Sequence, residues 1–185
     1  MKPVLMIHEV CDWMLKLPLQ DYILTFDDGL FSQYWHFDHY IRNIPTQKIF
    51  FISSGIVCPE EHAQTSLFPS CVEAHHKAFN GNFEDYMKVS QIRELMADPW
   101  VVIGGHSHNH QRLMTIKSLP DRVAAMRRDT QDMVAWFNDV LRVQLTTFCY
   151  PYNDDIQKLY PAMLKQYGIT DFYGKERIAI ETLFK

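Results

Sequence analysis

Two adjacent carboxylates, Asp27 and Asp28, close the apolar run Tyr22-Ile23-Leu24 and are followed by Gly29. Strand propensity stops there and turn chemistry begins. Neighbouring side chains at a strand end diverge, so the two acids can hold different jobs in one site. Far along the chain, Gly104-Gly105-His106-Ser107-His108-Asn109-His110 follows a second short apolar run. His106 and His110 are four apart, and on a helical turn that spacing puts both on one face. Two imidazoles and one carboxylate, with a position left open for water, suit a catalytic divalent cation, zinc first among them. Such an ion polarises a carbonyl and lowers the pKa of a nearby water. A second carboxylate can then take the water's proton. The pair at 27 and 28 supplies one ligand and one base. Each half also has a plain reading, as packing histidines or as a good turn. The metal expectation rests on the two standing together at the ends of two predicted parallel strands.

The elements that must position these groups alternate. Strands are expected at residues 3–7, 21–26, 48–53, 101–103, 146–150, 169–173 and 177–180. Helices are expected over 30–42, 87–96, 120–143 and 156–167, with a short helix or loop over 11–20. Residues 57–90 show no steady period, and a connection of that length is usually functional or carries its own small helices. Strand and helix in alternation argue for a parallel sheet. Polar clusters sit directly after the strands: His8-Glu9, Asp27-Asp28, Ser53-Ser54, His106 to His110, Tyr152-Asn153 and Glu181. In a parallel β/α barrel all of them gather at one face, where such folds carry their chemistry.

The chain has 185 residues, which suits one domain over 1–185 with an irregular insertion at about 57–86. A net charge of −4 gives no electrostatic reason to expect nucleic acid or an anionic membrane as partner. No apolar run approaches the roughly 20 residues that a membrane helix needs. The first residues lack the pattern of a signal peptide. The four cysteines are spread out and read as reduced thiols, so a cytoplasmic protein is expected. Oligomeric state is not set by any of these features.

Thr25-Phe26-Asp27-Asp28-Gly29, followed by His106-Ser107-His108-Asn109-His110, resembles the first two motifs of the polysaccharide deacetylases, the NodB-like family or carbohydrate esterase family four. The resemblance covers about residues 3–181. It implies a distorted, incomplete parallel (β/α) barrel that hydrolyses a linear C–N amide, removing an N-acyl group, acetyl first of all, from an amino sugar. It further implies that Asp27 is the base and that Asp28, His106 and His110 hold the metal. His108 has no such role and is expected at the site rim. The family's third motif is an arginine, a spacer, a proline and an aromatic. Here it reads Cys149-Tyr150-Pro151-Tyr152, so cysteine stands where the base-orienting arginine would be. The main-chain N–H of Tyr152 is expected as an oxyanion donor, against a plain role as a packing residue at the barrel lip. The last motif often ends in a histidine that acts as general acid. None of the nine histidines follows His110, and Glu181 falls in that place. A glutamate raised by burial could protonate a leaving amine. His8, which also follows a strand, has a pKa suited to the task without adjustment. The acid role stays open among Glu181, His8 and a group not visible in the sequence. The plain alternatives are an ion pair of Glu181 with Arg177 or Lys185 and a satisfied buried histidine at 8.

Cys58 with His62 and Cys71 with His75 form two C-x-x-x-H pairs that could make a structural zinc site. Alternatively, residues 57–86 fold over the sugar site as a lid, bringing His75 or His76 and aromatics such as Phe68 and Phe79. A solvated surface insertion is the third reading. Three functions are compatible with the whole. The first is deacylation of an amino sugar, nucleotide-linked or lipid-linked, in surface-polysaccharide or lipopolysaccharide synthesis. The second is hydrolysis of another amide, formyl or cyclic. The third is a non-catalytic carbohydrate-binding relative.

Overall fold

A computed structural model describes residues 2–65 and 67–184. Seven strands form one sheet: β1 (Val4–Ile7), β2 (Ile23–Phe26), β3 (Lys48–Ile52), β4 (Val101–Gly105), β5 (Thr147–Cys149), β6 (Asp171–Tyr173) and β7 (Ile178–Ala179). Their order is β6-β5-β4-β3-β2-β1-β7, and every pairing is parallel. The two edge strands are thus consecutive in sequence, with only residues 174–177 between them. Five Cα–Cα steps reach at most ~18 Å, whereas the edges of a flat seven-stranded sheet stand about 29 Å apart at ~4.8 Å per strand. The sheet therefore curls until its edges nearly meet. This is the distorted, incomplete parallel (β/α) barrel that the family resemblance implies, built on the parallel sheet that the alternation of elements predicts.

Helices α1 (Phe31–His36), α2 (Cys71–Phe79), α3 (Val89–Met96), α4 (Leu119–Trp136) and α5 (Leu159–Leu164) accompany the sheet. Phe26, Phe50 and Phe148 from the strands pack with Phe37, Met126, Met133 and Phe137 in one buried core. In α4 the Ser118 hydroxyl accepts from the Asp121 N–H, and Pro120 sits in the first turn, where no N–H is needed. Both α1 and α4 run on into a wider π turn, at Phe37–Ile41 and Phe137–Leu141, which accounts for the longer helices expected there.

Two differences from the sequence reading matter. The helix expected from residue 156 begins at Leu159, because Ile156, Gln157 and Lys158 have φ of 52°, 56° and 67°. Asp154 Oδ1 accepts the Ile156 N–H at 2.9 Å and starts that left-handed reversal. Within the stretch expected to be irregular, Cys71–Phe79 is helical. A capping box starts it, with Ser70 accepting from the Glu73 N–H and Glu73 accepting from the Ser70 N–H. The Ser-x-x-Glu spacing was the sequence signal for this helix. Ala74 and Ala78 bury its inner face against Leu30, Ile56 and Tyr86.

Candidate active site

The two carboxylates at the end of β2 point to different partners. Asp27 is buried and meets Arg177 from the short link before β7. Arg177 Nη1 donates to Asp27 Oδ1 at 2.6 Å, and Nη2 donates to Oδ2 at 2.7 Å. The rest of the guanidinium is satisfied by Gly174 O, Thr25 Oγ1, Cys149 Sγ and Asn153 Oδ1. Burial alone would push the Asp27 carboxyl up, but Arg177 outweighs it and holds the group below the usual carboxylate range. The cysteine at the position of the family's arginine thus lies against an arginine delivered from the link before β7, with its Sγ 2.9 Å from Nη2. Gln33 also serves this corner. Its amide donates to the carbonyls of His8 and Asp27, tying the ends of β1 and β2 together.

Asp28 sits in a left-handed turn, φ 77°, with Gly29 at φ 78°. Its Oδ1 faces His106 Nε2 at 3.2 Å and His110 Nε2 at 3.1 Å. The histidine segment is a loop rather than the helical turn that the four-residue spacing suggested, with Ser107 and His110 both at positive φ. The two rings converge all the same. Asp129 of α4 accepts the N–H groups of His108 and Asn109, each at 2.8 Å, and the Ser107 hydroxyl accepts that of His110 at 2.9 Å. Ahead of the loop, Gly104 lies where a Cβ would come within 2.7 Å of the Phe51 ring, so strand β4 reaches His106 only with a residue that has none. His108 turns away to Ser54, Nδ1 to Oγ at 2.9 Å, as a rim histidine should.

The donor set fits a divalent cation. Asp28 Oδ1 is buried and has no hydrogen-bond partner, although three imidazole nitrogens, from His106, His110 and His75, crowd it. His106 Nδ1 lies 2.9 Å from the Cys149 carbonyl, so the neutral ring keeps its proton there and turns the Nε2 lone pair toward Asp28. Asp28, His106 and His110 are all buried, with donor atoms within 4.8 Å of one another. One carboxylate and two imidazoles make a three-ligand set that leaves a position open. Burial would raise the Asp28 carboxyl; when His106 and His110 are instead protonated at Nε2, their donation and charge hold it well below its ordinary range. Asp27, His106 and Cys149 form another close group, yet Arg177 already occupies Asp27 and Cys149.

Of the two candidate acids, His8 lines the same cleft of about 190 Å³, with Nε2 3.9 Å from Asp27 Oδ2. Glu181 is exposed on the helical turn after β7, does not line this cleft and is not paired with Arg177, whose guanidinium is turned inward to Asp27. Tyr152 lines the cleft on a left-handed backbone, φ 58°, with its ring centroid 4.9 Å from that of His110. The two C-x-x-x-H pairs do not assemble as a structural zinc site. The Cys58 thiol donates to its neighbour Pro59 O, and His62 is exposed. Cys71 and His75 instead reach the cleft from α2, while His76 and Phe79 face solvent and Phe68 packs on Phe31. Arg177, Gln33 and Asp129 were not among the expected site residues. The signal for Arg177 was the vacancy itself, together with a lone arginine ahead of Ile178-Ala179-Ile180.

A family model described as polysaccharide deacetylase matches residues 16–172. Among solved structures, IcaB from Ammonifex degensii is similar with a TM-score of 0.68 at 18% identity, covering 96% of this chain and 90% of that one. The BpsB deacetylase domain from Bordetella bronchiseptica gives 0.66 at 14%, covering 97% and 92%. The Streptococcus pyogenes deacetylase PplD, in complex with acetate, gives 0.64 at 11%, covering 99% and 96%. No curated protein matches the chain. Among the described residues, no helix is long and apolar enough to cross a membrane.

Proposed function

Because the chain belongs to the polysaccharide deacetylase family, we propose that it is a divalent-metal-dependent hydrolase that removes the N-acetyl group of an amino sugar. The observation that carries this reading is the pairing, in one cleft, of an arginine-clamped Asp27 with the Asp28, His106 and His110 triad. Asp28, His106 and His110 would hold the cation, for which a carboxylate and two imidazoles favour zinc. What the ion supplies when bound is a polarised amide carbonyl and a water of lowered pKa.

The remaining work falls to the chain's own residues. Asp27 takes the proton of the attacking water. A carboxylate has about four acceptor sites, so the two contacts from Arg177 leave room for that proton while fixing the plane of the group. The main-chain N–H of Tyr152 donates to the amide oxygen as negative charge grows on it. His8, whose Nε2 lies 3.9 Å from Asp27 Oδ2, gives a proton to the departing amine. The acetate held by the streptococcal neighbour supports acetyl as the acyl group.

The test is acetate release from a panel of N-acetylated saccharides, nucleotide-linked, lipid-linked and polymeric, with formylated and cyclic amides as controls. A nucleotide- or lipid-linked amino sugar, of the kind used in surface-polysaccharide or lipopolysaccharide synthesis, is the expected best substrate. Turnover should vanish on chelation and return with zinc. Asp27→Asn should lose turnover and keep the metal, and His106→Ala should lose the metal. Full activity in Asp27→Asn, or in protein stripped of metal, would sink the mechanism.

A further inference from the structure

Helix α2 brings a second set of metal-binding groups to Asp28. Cys71 and His75 are four apart on one helix face and both turn toward that carboxylate. Cys71 Sγ donates to Asp28 Oδ2 at 3.0 Å, and His75 Nε2 lies 3.5 Å from Oδ1. The donor atoms of Asp28, Cys71 and His75 all lie within 4.8 Å of one another. Donor atoms on a tetrahedral ion with bonds of about 2.0–2.3 Å stand about 3.3–3.8 Å apart, and the 3.5 Å between His75 Nε2 and Asp28 Oδ1 falls in that range.

His75 is set up as a ligand. Its Nδ1 lies 3.0 Å from the Cys71 carbonyl, which keeps the ring proton on that side. Its Nε2 is buried and has no hydrogen-bond partner. A lone pair then faces Asp28 Oδ1, itself without a partner, across 3.5 Å. Two buried acceptors facing each other are unfavourable unless something positive lies between them. His106 shows the same arrangement from the opposite side, with Nδ1 on a carbonyl and Nε2 turned to the same oxygen.

We propose that Asp28, Cys71 and His75 form a second divalent-metal position, beside the one at Asp28, His106 and His110, with Asp28 bridging the two. The proposal rests on the metal reading of the preceding section. Each triad is compact on its own, but the five residues do not form one set at the same spacing, so His75 belongs to a neighbouring position. Paired ions in hydrolytic sites stand about 3.5–4 Å apart, and Asp28 presents Oδ1 to all three imidazoles and Oδ2 to Cys71. His75 and His110 stack with ring centroids 4.3 Å apart, which brings the two positions side by side. A thiol beside an imidazole selects a soft or borderline cation, zinc or cobalt, over magnesium or calcium. The thiol proton leaves to solvent as the ion binds. The arm that carries these ligands is built in place: Glu9 Oε1 accepts the Cys71 N–H at 2.6 Å, the capping box fixes the first turn, and Ala74 and Ala78 are buried.

Cobalt titration of the metal-free chain tests this. The expected result is two ions per chain, with a thiolate-to-cobalt charge-transfer band in the near ultraviolet. Cys71→Ser, whose hydroxyl can still donate to Asp28, and His75→Ala should each bind one ion and show no band. One ion in the unmodified chain overturns the second position and leaves the first intact. No ion at all defeats the metal reading on which it rests. Two ions with no thiolate band, or two that persist in both variants, overturn the assignment to Cys71 and His75.

Discussion

Arg177 grips both oxygens of Asp27 with both of its terminal nitrogens, at 2.6 and 2.7 Å, across 150 positions of sequence. The arginine side chain is fully buried, and the carboxylate is nearly so. Removing one member of such a pair strands the other, at a cost of roughly 3–5 kcal/mol. Arg177→Met should therefore lower the unfolding free energy measured by urea titration by an amount of that order. Arg177→Lys keeps the charge but not the fork, because an ammonium cannot hold two oxygens in one plane. It should fold and bind metal yet lose on the order of 10²-fold in turnover from a misaligned base. Normal turnover in the lysine variant would remove Arg177 from the positioning of Asp27.

The same pair sets the acid side of the pH profile. Burial raises the Asp27 carboxyl and Arg177 lowers it further than burial raises it, so the folded pKa lies below the unfolded value of about 3.9. A depressed acid contributes stability above that unfolded value and loses it as pH falls through the folded pKa. The acid limb of kcat/KM should accordingly lie below about pH 4 in the unmodified chain. In Arg177→Met burial is opposed only by the weaker pull of His106 and His8, and the limb should move upward. A limb that stays where it was would show that another group controls it.

His8 and Glu181 give opposite expectations. His8 lines the cleft beside Asp27, whereas Glu181 is exposed beyond β7. His8→Gln should lower kcat by about 10²–10⁴-fold, the usual worth of a positioned acid or base. Glu181→Gln should leave kcat and KM as they were. A loss in the glutamate variant comparable to that of His8→Gln would reverse the assignment.

The parts of this site that were readable in sequence are those whose local chemistry repeats. The strand-turn Asp27-Asp28-Gly29 announces itself because apolar strand, two acids and glycine are contiguous. Alternating elements gave the parallel sheet, and strand ends gave the face on which the polar groups meet. Arg177 was not readable as the partner of Asp27, because their contact depends on how far the sheet curls. It is the closeness of β6 and β7 that carries the link at 174–177 past Asp27. His8 and Arg177 both lie outside residues 16–172, the part that matches the family model, so motif order alone could not have paired them with Asp27. Helix α2 was missed for a different reason. Its nine residues carry histidines, a lysine and exposed Val72 and Phe79, which blur the apolar period, although the Ser70–Glu73 cap was present. The helical spacing read into His106 and His110 was right about convergence and wrong about cause: the loop's left-handed residues bring the rings together.

Asp129 provides the last expectation, because it touches no metal-binding side chain. It is buried on α4, and its two oxygens accept the N–H groups of His108 and Asn109, each at 2.8 Å. Those two residues are the middle of the loop between His106 and His110, so the carboxylate fixes the separation of the two imidazoles. Asp129→Ala leaves two N–H groups without a protein acceptor, at about 1–3 kcal/mol for each that stays dry. The loop can recover part of that by opening to water, and in doing so it moves His110 away from Asp28. Metal affinity should then fall about 10–100-fold, the range found when groups supporting metal ligands are removed. Circular dichroism should still report a folded chain, since α4 retains its Ser118 cap and its buried Met126 and Met133. Competition against a chelator of known affinity measures the loss. If Asp129→Ala bound zinc as tightly as the unmodified chain, the loop would be held by its own left-handed turns and Asp129 would have no part in spacing the two imidazoles.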